Sequence, residues 1–575
     1  MTGIDDSFAS DPHSPITRPV AGCVVRFSPD FTKKEIVADG FRNAYGMDFN
    51  LNGDLFTYDS NNERCVELSW YEPTRFYHVI PGSHDGWRSP QKTHFWRMPP
   101  YFPDLVKPLT TLGRGSPTGV TCYQHQRFPP QYHGAMFLAD WTFGRVYVVS
   151  LKQSGSSYGG ESHVFIQAVG SNGFAPTDIV VHHPSGELYV STGGRGTRGA
   201  VYRIRYTRNT GQHEKSVRPK TPSRTASIGG PSSLLLANMT DPFHIRKTLH
   251  WFRKHYEKIP PQDIETLILK TWDHHDRYIR QACAALIALM NGCQLDHLKT
   301  LCVEPSQELT LCQGIVNLFP DETLKRCTRL LTDSKIRLLH QHLELIRLVQ
   351  LAHGGLVHSE KRGTIWEGYT FVKPRTKHSD TLTAVIRKQF PTGHRELDRE
   401  LSRTLAALED SDALSLEKIT NHILITHHPV DQIHYLTVLA RLKAVRTRSV
   451  TPIVVDALLD LGSKITTLQI GRDRHWPLRM EELHRELSRQ DANLNKQLST
   501  HPNFGQPDHL VFTRHPDVKS HVTAIRFLEQ LKDSPSFRWT ESLIEVLKIL
   551  PDDQLFPLLR EQWENTSLHP PLIRT

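Results

Sequence analysis

The chain has little of what would place it in a membrane or on a nucleic acid. Among its 575 residues no stretch approaches the roughly 18 consecutive apolar residues that a spanning helix needs. The opening MTGIDDSFASDPHSPITRP is polar and acidic, without the basic flank and apolar centre of a secretory signal. Net charge is +9, with 19 basic against 18 acidic residues up to 206 and 50 against 42 beyond it. That excess is thinly spread and interleaved with acids, and no Lys/Arg run accompanies a stacking aromatic platform. Solvated helix faces explain it better than a nucleic-acid partner.

Cysteine motifs are absent as well. Eight cysteines stand at 23, 65, 122, 283, 293, 302, 312 and 327, with no C-x-x-C and no C-x-x-C-H. A zinc ribbon, a thioredoxin-like site and a covalent haem site in this chain are therefore unsupported. Most of these cysteines read as small core residues, Cys283 in RQACAALI above all. Nothing demands an oxidising compartment and nothing excludes one. Histidine is frequent, 33 residues, yet the pairs His182-His183, His274-His275 and His427-His428 lack the i, i+4 spacing with a Glu of a zinc hydrolase. TGGRGTRG (192–199) is Gly-rich but opens no helix, so it reads as a hairpin loop and not a phosphate cradle.

What is present falls into two periods. Residues 20–206 alternate apolar and polar, punctuated by Gly, Pro, Asn and Asp. One strand type recurs as GDLFTYD (53–59), GAMFLAD (134–140) and GELYVST (186–192). A second recurs as GCVVRF (22–27), GRVYVVSL (144–151) and GAVYRIRY (199–206). Strand, turn, strand, turn, strand is the unit of a β-propeller blade, and about three blades are countable. Three cannot close a ring, so the first blades are expected to be missing from this chain or supplied by a partner. Residues 207–233 form a Thr/Ser/Lys/Pro/Gly linker, after which the period becomes 3.6. Asp241 and Pro242 suit an N-cap and first helical position. Ile279, Ala282, Cys283 and Leu286 make one stripe in a stretch that looks like a HEAT-type repeat. Further helices are expected at about 306–318, 321–332, 334–352, 394–409, 413–426, 431–445, 449–463, 517–532 and 538–563, with a less helical stretch at 354–379. The expected fold is a multidomain β + α chain, a partial β-propeller followed by an α-solenoid of HEAT/ARM-like helix pairs. Its divisions are a disordered segment 1–19, the propeller 20–206, the linker 207–233 and the helical domain 234–575.

Several β segments carry a resemblance. GFRNAYGMDFNLNGDLFTYD (40–59) resembles the G-x-R-N-x-x-G-x-x-F-x-x-x-G-x-L segment of soluble quinoprotein glucose/sorbosone dehydrogenases, which are six-bladed propellers. GSHDGWR (82–88) looks like their G-x-N-Y-G-W-P loop. The stretches beginning SPTGVTCYQHQRF (116–128) and TDIVVHHPSGELYVSTGG (177–194) look like their last two blades. The whole order resembles the membrane-bound dehydrogenase or haem-binding proteins typical of planctomycetes, which run propeller, HEAT-like helices and often a cytochrome c domain. FPTGHRELDRELSRTLAAL (390–408) and DQIHYLTVLARLKA (431–444) look like the helical part of that group.

The resemblance implies a sugar or alcohol dehydrogenase using pyrroloquinoline quinone (PQQ) and feeding electrons to a cytochrome, in proteins usually exported to the periplasm. It implies that Arg42 and Asn43 contact the quinone, polarising the carbonyl that accepts hydride. The alternative from the residues themselves is that Arg42 pairs with a loop carboxylate and Asn43 caps a turn. Other parts of the family pattern are missing. CYQHQRF (122–128) has no lysine, and Ala175-Pro176-Thr177-Asp178 stands where the family has R-x-R-D. The blade carrying the family's catalytic histidine is not in this sequence. A second constellation, Asp59, Asn61 and Glu63 in YDSNNERCVEL, offers oxygen donors that suit Ca²⁺, or else a solvated turn. Three functions follow: a fragment of a quinoprotein-like dehydrogenase, not catalytic by itself; a non-catalytic propeller–solenoid scaffold binding carbohydrate or protein; or a degenerate remnant with no independent function.

Overall fold

The period-two half folds into small antiparallel sheets and the 3.6-period half into helices. The computed structural model describes residues 14–17, 19–60, 73–87, 97–170, 173–194, 196–207, 232–237, 239–333, 336, 338–373, 379–470, 475–533 and 537–568. Among these, β1 (Gly22–Phe27) pairs with β2 (Lys34–Phe41) as a two-stranded sheet. Strands β3 (Met47–Phe49), β4 (Leu55–Asp59), β5 (Arg75–His78) and β6 (Thr110–Thr111) form a four-stranded meander. A second meander joins β7 (Pro117–Cys122), β8 (Met136–Asp140), β9 (Arg145–Ser154) and β10 (Ser157–Gln167). A three-stranded sheet holds β11 (Pro176–His182), β12 (Glu187–Gly194) and β13 (Thr197–Ile204).

The repeat seen in sequence has a backbone cause. Gly53, Gly134 and Gly186 open the three copies of the first strand type, and all have φ near +70°, at 74°, 74° and 69°. That left-handed turn is open to glycine without a Cβ penalty. A second glycine position sets how sheets approach each other. A Cβ on Gly46 would stand 2.5 Å from the Thr118 carbonyl oxygen, and one on Gly119 2.4 Å from Asp178 Oδ1. The third copy of that position is Asp178 itself. Between the sheets lie apolar clusters, one around Phe56, Tyr58, Phe76 and Tyr158, another around Tyr123, Phe137, Ile179 and Val190, and a third around Val24, Phe41 and Tyr77.

The helices begin with α1 (Ser232–Ala237), α2 (Pro242–Lys254), α3 (Pro261–Thr271), α4 (Arg277–Ile287), α5 (Gly292–Leu301), α6 (Pro305–Ile315), α7 (Pro320–Thr332) and α8 (Leu339–Ala352). They continue with α9 (Ser379–Gln389), α10 (Arg395–Ala407), α11 (Ala413–Ile425), α12 (Pro429–Arg441), α13 (Val450–Thr467), α14 (Trp476–Gln490), α15 (Leu494–Thr500), α16 (His521–Asp533), α17 (Glu541–Leu547) and α18 (Asp552–Glu561). Asp241 caps α2 as expected, its side chain accepting from the His244 amide. Ile279, Ala282, Cys283 and Leu286 are all buried. The single helix expected over 538–563 is two. Pro551 has no N–H to continue a helix and disfavours helical Leu550, so the chain restarts at Asp552.

The described residues fall into two compact units, one running to Gly355 and the other starting at Leu356. In the first unit, helices brace the sheets. Phe243 of α2 enters the aromatic cluster of Phe56 and Tyr158. Arg347 of α8 grips Asp104 at 2.8 and 2.9 Å and lies 4.3 Å from the Phe102 ring centroid. Arg277 of α4 donates to the carbonyls of Phe102 and Pro103 at 2.8 and 3.1 Å, and also to that of Leu105. In the long insert between β5 and β7, residues 102–105 are held down by these two arginines. Ser14 and Ile16, ahead of β1, bond to Ile36 of β2.

In the second unit the helix stripes enclose a polar chain. His434 Nδ1 meets Tyr369 Oη at 2.8 Å and Nε2 meets Ser402 Oγ at 2.9 Å, all three buried. Burial, with Arg403 adding to it, holds this imidazole well below its usual range, so it is neutral. A neutral ring offers one donor and one acceptor, which the two hydroxyls match.

Candidate functional site

Five residues, 42–46, connect β2 to β3, and they include the Arg42–Asn43 pair. The connection is fixed through its backbone. Asp59, at the end of β4, accepts from the Arg42 amide at 3.0 Å and the Asn43 amide at 2.8 Å. The same carboxylate takes Arg97 Nη2 at 2.6 Å, and both side chains are fully buried. Arg97 also donates to the Ser60 carbonyl at 2.8 Å. Asp59 is thus an anion that organises a loop, paired with a cation from the far side of the insert.

GFRNAYG (40–46) and GSHDGW (82–87), separate in sequence, lie side by side. The Trp87 amide donates to the Gly40 carbonyl at 2.8 Å and the Asp85 amide to the Asp39 carbonyl at 2.9 Å. Gly40 has φ +85°, and a Cβ there would sit 2.5 Å from the Asp85 nitrogen. The Arg42 guanidinium carbon lies 5.7 Å from the centroid of the buried Trp87 ring, a cation–π distance. Arg42 is 9% exposed, whereas Asn43 faces solvent.

Asp85 is the unusual member of this group. It is 1% exposed, and neither carboxyl oxygen has a hydrogen-bond partner. Burial, reinforced by the Asp59 carboxylate, pushes its acidity well above the usual carboxylate range, and Arg97 offsets part of the effect. The carboxyl is accordingly favoured in its neutral form. Tyr77 Oη donates to the Asp85 carbonyl at 3.1 Å, linking β5 to the same loop.

The expected residues separate as follows. Arg42 is brought to Trp87, Asn43 is exposed, and Asp59 is committed to Arg97 and two amides. Asn61 and Glu63 lie outside the described residues. Among the described residues, no group of three or more His, Cys, Asp or Glu side chains is disposed to hold a metal. In the 122–128 loop, Gln124 Nε2 donates to the Phe49 carbonyl at 2.9 Å. Thr177 Oγ1 donates to the Ser191 carbonyl at 3.2 Å. Trp141 Nε1, just after β8, donates to the Gly193 carbonyl of β12 at 2.7 Å. His428 caps α12, accepting from the Val430 amide at 3.3 Å, and His274 stacks on His275 with centroids 4.3 Å apart.

PQQ carries several carboxylates, and burying them requires cations. Of the residues that the resemblance assigns to its contacts, Arg42 is the cation described here, and its guanidinium lies against Trp87. In the 122–128 loop Gln124 and Gln126 are neutral and Arg127 is a cation where the family has lysine, while the Ala175–Asp178 run supplies no positive charge. Arg97, Asp85 and Trp87 emerge as the residues that give this region its electrostatics. Trp87 was visible in the GSHDGWR motif, while Arg97 gave no signal because its partner Asp59 is 38 positions away.

No family model matches the chain, and no curated protein matches it. Among solved structures the chain is similar to the PQQ-bound form of an aldose sugar dehydrogenase from Streptomyces coelicolor. The identity is 15%, over 32% of this chain and 52% of that one, with a TM-score of 0.23. It is also similar to two structures described as glucose dehydrogenase. One has 17% identity over 32% of this chain and 55% of the other, TM-score 0.25; the second has 19% over 30% and 46%, TM-score 0.23. The chain spans about half the length of these neighbours.

Proposed function

We propose that residues 20–206 belong to a propeller of the quinoprotein sugar-dehydrogenase type that does not oxidise sugar by itself. The observation that carries this reading is the fate of the Arg42–Asn43 pair: both amides are spent on Asp59, and the guanidinium is buried against Trp87. A pair so committed organises the loop. In this reading, electron transfer to a cytochrome c partner and completion of the ring by further blades would both be supplied in trans. The test is to titrate the purified chain with PQQ and Ca²⁺, following quinone absorbance, and then to add glucose and a redox dye. The expected result is no dye reduction above the free cofactor. Turnover that disappears in Arg42→Ala would overturn the reading.

The second reading, a scaffold that binds carbohydrate or protein without chemistry, has its own support. Tyr45, Met47, Phe49 and Leu51 alternate along the β3 segment and are all exposed, Tyr45 at 72%. A row of apolar side chains facing outward is what a binding face offers. Mutating Tyr45 and Phe49 to Ser would raise solubility and abolish ligand retention on a carbohydrate array if this row binds. Unchanged retention would remove the row from consideration.

A further inference from the structure

The insert between β5 and β7 meets α4 and α8 around a cavity of about 210 Å³, below the roughly 300–1,000 Å³ of sites for drug-sized molecules. Tyr101 lines it from the insert, His275, Arg277 and Arg280 from the start of α4, and His340 and Glu344 from the first turns of α8. Donors therefore reach one space from three separate elements. The two arginines are fixed in place. Arg280 is 6% exposed, ion-paired to Glu344, and donates Nη1 to the His274 carbonyl at 2.9 Å. Arg277 spends Nη2 on the carbonyls of Phe102, Pro103 and Leu105 and keeps Nε buried. Its Nη1 is neither buried nor hydrogen-bonded among the described residues. Glu344 is the acid of this lining and Arg280 answers it, which leaves Arg277 as the cation there without a carboxylate partner among the described residues. His275 stacks on His274 with its other face outward, and His340 is exposed.

We propose that this cavity binds a small phosphate monoester, its phosphoryl oxygens on Arg277 Nη1 and the imidazoles of His275 and His340, its organic part against Tyr101. A phosphoryl group presents oxygens in several directions, so it can use donors from three elements at once, whereas a planar carboxylate accepts from one side. A guanidinium already held by three carbonyls loses little further freedom when it takes an anion. Tyr101 and the neighbouring Pro103 supply apolar surface on which a ring or alkyl group can lie. No bond is made or broken; the ligand joins the insert to the two helices. The amides of Phe102, Leu105 and Val106 donate to the carbonyls of Pro99, Phe102 and His84, and these hydrogen bonds should open less often once the insert is tied down. The site stands apart from the Asp85 and Trp87 group, so it does not rest on the dehydrogenase-type reading.

The experiment titrates the folded full-length chain with inorganic phosphate and then with phenyl phosphate, at an ionic strength held constant with chloride. Calorimetry reads the affinity, and amide hydrogen exchange maps the protection. The expected result is saturable binding, slower exchange over 101–106, and tighter binding of phenyl phosphate than of inorganic phosphate. The double variant His275→Ala, His340→Ala changes exposed side chains. It should weaken both probes about tenfold or more, with the melting temperature unchanged in the absence of ligand. Tyr101→Ala should bring phenyl phosphate down to the affinity of inorganic phosphate. Heat that follows ionic strength alone, or protection that appears elsewhere in the chain, would overturn the proposal without any variant having to fold. Full affinity in the double variant would overturn it as well. Equal affinities of the two probes for the unaltered chain would overturn the place given to the organic part.

Discussion

Asp59 and Asp140 end the same strand of successive sheets, and each holds the loop leading into its own sheet. Asp59 accepts the amides of Arg42 and Asn43, and Asp140 those of Ser116 and Thr142 at 2.8 and 3.1 Å. The cross-strand residue opposite each is an arginine, Arg75 or Arg145. The difference is a third partner. Asp59 has the buried Arg97 at 2.6 Å, whereas Asp140 Oδ2 has no hydrogen-bond partner. Burial pushes the Asp140 carboxyl upward, with amide hydrogen bonds opposing it. One repeat position thus serves two electrostatic designs. The carboxylate's structural task is common to both sheets, and the residues around Asp59 are an addition to it.

That comparison can be broken at several points. The largest effect is expected for Arg97→Ala, which leaves Asp59 buried without its cation and should cost about 3–5 kcal/mol in urea unfolding. Asp140→Ala removes hydrogen bonds but strands no partner charge of that kind, and should cost about 1–3 kcal/mol by the same measurement. Equal losses would mean that Arg97 adds nothing. Gly46→Ala and Gly119→Ala each force a Cβ into a neighbouring strand and should cost about 1–3 kcal/mol, whereas Asp178→Gly should be nearly neutral. A tolerated Gly46→Ala would show that the strand approach relaxes.

Asp85→Asn sharpens the comparison through pH. A carboxyl whose folded acidity is raised binds its proton more tightly when folded than when unfolded. Its stabilisation is full below the unfolded value near 4 and is lost as pH rises through the folded value. Wild type should therefore lose about 1.4 kcal/mol against Asp85→Asn per pH unit across that window. Chemical denaturation at pH 4, 6 and 8 would show the two curves diverging, and parallel curves would place Asp85 as ionised throughout. The smallest effect, about 1 kcal/mol, is expected for Asp241→Ala at the start of α2, seen as a lower melting temperature.

Much of the local architecture was legible in the residues. Gly53, Gly134 and Gly186 marked a repeated turn because only one kind of residue adopts that backbone cheaply. Asp241-Pro242 and the stripe at Ile279, Ala282, Cys283 and Leu286 were readable because caps and helix faces depend on neighbours within one or two turns. The helix break at Pro551 was legible in principle but hidden by apolar residues continuing on both sides. α1, α3, α5, α9, α14 and α15 were not anticipated. At the candidate site, the sequence offered two meanings for Arg42–Asn43, and only the distances to Asp59 and Trp87 favour the loop-organising one.

The sequence by itself determined where strands give way to helices and where the repeats turn, since these follow from short-range periodicity, backbone freedom and capping. Only the tertiary structure decided which charges meet. Asp59 finds Arg97, Asp104 finds Arg347, and the Asp85 carboxyl finds no hydrogen-bond partner. No pattern along the chain encodes those pairings. They depend on how whole elements stack, and burial then converts each meeting into a strong interaction by removing the water that would otherwise screen it.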